Sequence, residues 1–150
     1  MLVFRKPIPG GGLVVTVHAR KGPQENTDIT IHRGRVMAAP ELTAFPQYKA
    51  FLGRPWSDFS RTMYLRSSID DLVDPAGWMT WVGAPSSRYS TVDYGEFQNK
   101  GAGASTERRV NWTGYHVIND LRTANIYDVT SLINGELWLP GTGVPFDAGV

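Results

Sequence analysis

The 150-residue chain has no cysteine, which excludes disulfides and thiolate metal sites but leaves the compartment open, since secreted domains of adequate size fold without bridges. No apolar run is long enough to cross a bilayer, so no membrane span and no membrane partner are expected. Net charge is scarce too. Fifteen Lys and Arg against fourteen Asp and Glu leave a formal +1, without the basic excess of a nucleic-acid binder. No G-x-S-x-G elbow, phosphate-binding glycine loop or H-E-x-x-H motif occurs, and the three histidines stand apart at positions 18, 32 and 116. Serine-hydrolase and metal chemistries have no foothold, and no metal or cofactor is expected. The opening MLVFRKPIPGGG lacks an apolar leader core and a cleavage site, so either the chain is cytosolic or its true beginning lies upstream. The sequon Asn111-Trp112-Thr113 favours the second option and a secreted surface.

Glycine and proline are plentiful. Sixteen glycines and ten prolines spread along the chain call for many turns and few long helices, and this points to one mainly β domain. Residues 13–20 (LVVTVHAR) alternate and are β-branched, which predicts a strand, and 27–36 predicts a second. Further strands are predicted over 61–69 and 90–98, with a short segment at 48–52. They recur at irregular intervals without intervening helices or Asn-Gly hairpins. That spacing suits the coils of a parallel β-helix and leaves a sandwich open. Thr130 to Leu137 is the best helix candidate, although Gly135 weakens it. The tail WLPGTGVPF is expected to pack, being too apolar to leave in water.

Five tryptophans, six tyrosines and six phenylalanines exceed what such a core requires, and tryptophan is a common platform for sugar rings. The densest group is Phe51-Leu52-Gly53-Arg54-Pro55-Trp56. A guanidinium fixed beside a rigid proline and an indole can hold a carboxylate in a bidentate fork while a ring lies on the indole. A structural arginine with a packing tryptophan is the plainer alternative. His18 and His32 read as solvent-facing or stacked polar residues, and Tyr94 and Glu96 as structural.

LGRPW, SRTMYL, DDLVDPAGWMTW, DYGEFQNKGAGAST, RVNWTGYHVI and WLPGTGVPF follow one another in the order and near the spacing found in plant pectin methylesterases, which the chain resembles. HARKGPQENTDITIH extends the likeness, more loosely, towards the N-terminus. The resemblance implies an all-β fold, a right-handed parallel β-helix truncated at its N-terminal end, with a short C-terminal helix and an irregular tail. Residues 1–150 would be the C-terminal part of a single catalytic domain. It implies cofactor-free hydrolysis of methyl esters on galacturonate, by one aspartate as nucleophile and a second as acid and then base, with glutamines stabilising the oxyanion. Methylated homogalacturonan is the implied substrate, a proteinaceous pectinesterase inhibitor the implied partner, and the cell wall the implied location.

Residue by residue, Arg54 inherits the arginine that orients the nucleophile and holds it ionised, and Trp56 the tryptophan that stacks on the sugar. Trp78, in the PAGW loop, is expected to border the cleft, with loop packing as the alternative. The family's aspartates lie in motifs such as Q-D-T-L and D-F-I-F-G, which this sequence does not contain, and Leu2-Val3-Phe4 resembles the strand that follows the second. Asp58, Asp70, Asp71 and Asp74 read as loop-building residues and not as substitutes. The chain alone is therefore expected to be inactive. A longer, active product, a non-catalytic pectin-binding or regulatory module, and a non-functional remnant that does not fold are the competing readings.

Overall fold

The computed structural model describes residues 1–4 and 12–150. Residues 5–11, on which the leader argument rests in part, lie outside them. Among the described residues nine short strands form three sheets, and every pairing is parallel. The first sheet has the order β1 (Leu2–Phe4), β4 (Arg35–Ala38), β7 (Ser68–Ile69). The second pairs β2 (Leu13–His18) with β5 (Ala50–Pro55). The third has the order β3 (Ile29–His32), β6 (Arg61–Leu65), β8 (Asp93–Phe97), β9 (Tyr115–Val117). Between β1 and β6 the chain visits the three sheets in rotation, twice. Isolated bridges of Val73 to Ala50 and Trp78 to Gly53 continue the second sheet where no full strand forms.

The rotation explains why the predicted strand over 27–36 is two strands in different sheets. Arg33 adopts a left-handed backbone (φ 50°) and turns the chain from β3 into β4. Arg66 (φ 49°) divides 61–69 into β6 and β7 in the same way, and Gln98 (φ 47°) ends β8. The corners are tied to one another: the Gly34 N–H donates to Ser67 Oγ, 33 residues on, and the Ser67 N–H to Asn99 Oδ1, 32 residues on.

One apolar cluster, including Val36, Ala50, Leu52, Tyr64, Ile69, Trp78 and Tyr94, fills the space between the sheets. A smaller one, Met63, Leu65, Phe97, Ile118 and Ala124, lies where the third sheet meets the C-terminal segment. The expected alternation of β2 breaks at Thr16, which is buried while Val17 is 37% exposed. Thr16 points inward because its hydroxyl donates to Leu52 O at 2.9 Å.

The predicted helix over 130–137 is two one-turn helices, α1 (Val129–Ile133) and α2 (Gly135–Trp138). Asn134 separates them in the left-handed conformation (φ 49°), and Asp128 caps the first by accepting from the Ser131 N–H at 2.6 Å. The tail departs from expectation. Trp138 and Val144 stand 50% and 58% exposed, while Leu139 and Phe146 are half-buried. Its apolar side chains have more surface than this short segment covers.

Candidate functional site

Arg54 and Trp56 sit at the end of β5, and the packing beneath them is determined by Gly53. A Cβ on Gly53 would collide with Thr16 Oγ1 and come within 3.0 Å of the Trp78 ring, so only glycine lets β5 lie this close to β2. Leu52 O accepts from both the Thr16 hydroxyl and the Tyr64 hydroxyl, at 2.9 and 2.8 Å. Pro55 is fully buried and fixes φ at the exit. The strand is thus held on both sides, and the two side chains after Gly53 emerge from a rigid base.

Trp81 joins them. The Arg54 guanidinium lies 4.3 Å from the Trp81 ring centroid, a cation–π distance. Trp56 stacks on the same indole, with centroids 5.5 Å apart and planes inclined by 22°. Trp56 is nevertheless 58% exposed, so part of its surface is open to a ligand. Arg54 Nε is buried without a hydrogen-bond partner among the described residues. A buried charged donor left unmatched is costly, and an acceptor reaching it is correspondingly favoured.

The expectation for Trp78 is corrected. Its side chain is 1% exposed, wedged against Tyr94 at 4.6 Å, Tyr64 at 5.8 Å and Tyr115 at 6.3 Å, and its ring faces the core. The bridge to Gly53 draws this loop inward and makes its first tryptophan part of the second sheet's layer. The second tryptophan of the same loop, Trp81, is half-buried and is the one that meets Arg54 and Trp56. The W-x-x-W spacing was the available signal, since residues three apart on an irregular loop readily face opposite ways.

The other candidates have structural partners. Asp58 pairs with Arg88 at 2.6 Å, and Asp70 with Arg35 at 3.7 Å. Asp74 Oδ1 accepts from the Ala76 N–H at 2.8 Å. Asp71 is exposed. His18 Nδ1 accepts from the Arg61 N–H at 2.8 Å, and burial lowers its pKa, so the neutral imidazole works as a fixed acceptor. Asn111 of the sequon is exposed.

Comparison with known proteins matches residues 1–136 to the pectinesterase family. The chain is 47% identical over 150 residues to Probable pectinesterase/pectinesterase inhibitor 36 of Arabidopsis thaliana, covering 99% of this chain and 28% of that protein. It is 40% identical over 149 residues to pectinesterase 2 of Citrus sinensis, covering 99% of this chain and 29% of that protein. Among solved structures, the pectin methylesterase from carrot superposes with a TM-score of 0.92 at 39% identity, over 97% of this chain and 45% of that one. The chain thus spans less than a third of the length of these curated relatives. On these matches, and with the Arg54 and Trp56 arrangement just described, the chain belongs to the pectinesterase family.

Proposed function

We propose that these 150 residues are the C-terminal part of a pectinesterase catalytic domain, coiled as a right-handed parallel β-helix, and that they form the substrate side of its site. The observation that carries this reading is the grouping of Arg54, Trp81 and Trp56, with one buried guanidinium nitrogen unmatched and one indole open. Arg54 faces the nucleophilic aspartate, lowers its pKa by its charge and keeps it ionised for attack on the ester carbonyl. Trp56, braced by Trp81, supports the galacturonate ring. Bracing matters because an indole held in place loses little freedom when the sugar binds.

The substrate is methylated homogalacturonan, the location the cell wall, and a proteinaceous inhibitor a partner. The name of the Arabidopsis relative includes a pectinesterase inhibitor, which supports the last assignment. The carboxylates that attack and protonate the ester are not among the aspartates placed above: Asp58, Asp70 and Asp74 build a loop or a surface pair, and Asp71 stands exposed. The 150-residue polypeptide by itself therefore binds pectin and does not cleave it. A non-catalytic binding module would use the same residues, and it is favoured only by the exposure of Trp56.

Methanol release from methylated pectin by this polypeptide is the test, with none above background expected. Measurable release would overturn the assignment of inactivity. Titration with methylated galacturonate oligomers tests the binding roles. Trp56→Ala and Trp81→Ala should each weaken binding roughly three- to tenfold. Unchanged affinity in both would remove the proposed platform.

A further inference from the structure

Two successive corners carry arginine where an L side chain is disfavoured. Arg33 and Arg66 both occupy the left-handed region, where glycine or asparagine is at ease. They follow β3 and β6, which lie side by side with His32 opposite Leu65, so they stand about one strand spacing apart, roughly 4.8 Å. The same bond holds each corner: the Arg33 N–H donates to Leu65 O at 2.9 Å and the Arg66 N–H to Phe97 O at 2.7 Å. Past the corner, Arg35 opens β4 and Lys100 bridges to Ser68. These four cations line a concavity of about 470 Å³.

Acidic neighbours are few. Asp147 pairs with Arg33 at 2.8 Å and Asp70 with Arg35 at 3.7 Å. Among the described residues, Arg66 and Lys100 have no ion-pair partner. Arg66 donates from Nε to Gln98 Oε1 at 3.1 Å, and its guanidinium lies 5.7 Å from the Phe97 ring. A chain with a formal charge of only +1 has no compositional need to gather four cations here.

We propose that this basic corner is a second carbohydrate surface, and that its ligand is a polyuronate with free carboxylates. The identity of the polymer rests on the function proposed above: de-esterified galacturonan is the product of that reaction. Each free uronate offers a carboxylate, which the unpaired Arg66 guanidinium holds in a fork, while the Lys100 ammonium lining the same concavity takes a second. A methyl-esterified chain offers none, so the corner separates product from substrate. The corner lies at the turn from the third sheet to the first, whereas Arg54 and Trp56 end a strand of the second. The corner's product binding and the indoles' substrate binding can therefore be separated by mutation.

The experiment is calorimetric titration of the 150-residue chain with galacturonate decamers, one fully de-esterified and one fully methyl-esterified, at low and high salt. The Arg66→Asn/Lys100→Gln variant should bind the free-acid decamer roughly three- to tenfold more weakly, with a smaller salt dependence. Its thermal midpoint should equal or exceed that of the parent, because asparagine suits the left-handed corner. Arg108→Gln/Arg122→Gln removes the same charge elsewhere and should change neither decamer's affinity. Lys100→Gln alone, which leaves the corner backbone untouched, should shift free-acid binding in the same direction.

Undiminished free-acid binding in the corner variants, an equal loss in the control pair, or no free-acid binding by the parent would each overturn the proposal. The methylated decamer reports separately on the earlier reading, through its loss of binding on Trp56→Ala.

Discussion

Among the described residues, Glu96 and Arg109 are the most deeply buried charges in an ion pair, with side chains 2% and 1% exposed. Arg109 donates from Nε and Nη2 to the two carboxylate oxygens at 2.7 and 3.1 Å, and the Tyr115 hydroxyl adds a third bond at 3.1 Å. Its remaining contacts go to the carbonyls of Pro75 and Gly103, so one guanidinium ties β8 to two loops. Burial, and then the Glu96 charge, push the Tyr115 hydroxyl up, which keeps it a donor. Arg109→Ala would leave a buried carboxylate unpaired and should cost about 3–5 kcal/mol in urea unfolding. A loss under about 1 kcal/mol would show that water compensates the carboxylate.

Asp28 behaves differently. Burial raises its pKa from 3.8 to about 6, with Arg61 opposing and Asp93 adding to the shift. The folded chain then holds this proton more tightly than the unfolded one. The stability contributed is fully present below about pH 4 and is lost as pH rises to about 6. Asp28→Asn removes this dependence, so its melting temperature relative to the parent should climb between those values. A constant difference would refute the assignment. The structural role of Glu96 was legible in the sequence, whereas Asp28 gave no sign, because its burial comes from strands and helices distant in the chain.

The predicted strands over 27–36 and 61–69 are each two strands because the corner residues Arg33 and Arg66 are polar and unremarkable. Arg33, Arg66 and Gln98 have no turn signature, yet each bends the backbone into the left-handed region. Gln98→Gly should relieve that conformation and stabilise the fold by about 1 kcal/mol, measured by chemical denaturation. Destabilisation would mean that the bond from Arg66 outweighs the strain. β5 shows the opposite limit. The space at Gly53 is already filled by Thr16 and Trp78, so Gly53→Ala should cost about 1–3 kcal/mol and lower the melting temperature. The split of the C-terminal helix at Asn134 has a related cause: Gly135 packs against Val129 and Leu139, so no side chain fits at the second helix's start.

Across the molecule, β1, β2 and β3 each form an edge of their sheet. Leu2, Val3 and Val17 on these edges are 36%, 43% and 37% exposed. Open parallel edges with apolar side chains are templates for pairing. The 150-residue polypeptide should therefore self-associate with rising concentration in sedimentation experiments, and Val3→Lys with Val17→Lys should shift it towards monomer. Concentration-independent sedimentation of the parent would show that the edges are protected.

By itself the sequence determined the turn-rich β character, the family motifs and the placing of Arg54 and Trp56 two residues apart in one motif, because glycine, proline and short linear motifs act locally. Only the tertiary structure decided that Trp78 is core and Trp81 half-buried beside Arg54 and Trp56, since a bridge to Gly53 draws one indole inward. It also gathered Arg33, Arg35, Arg66 and Lys100 at one corner, through parallel strand pairing that brings together residues more than thirty positions apart.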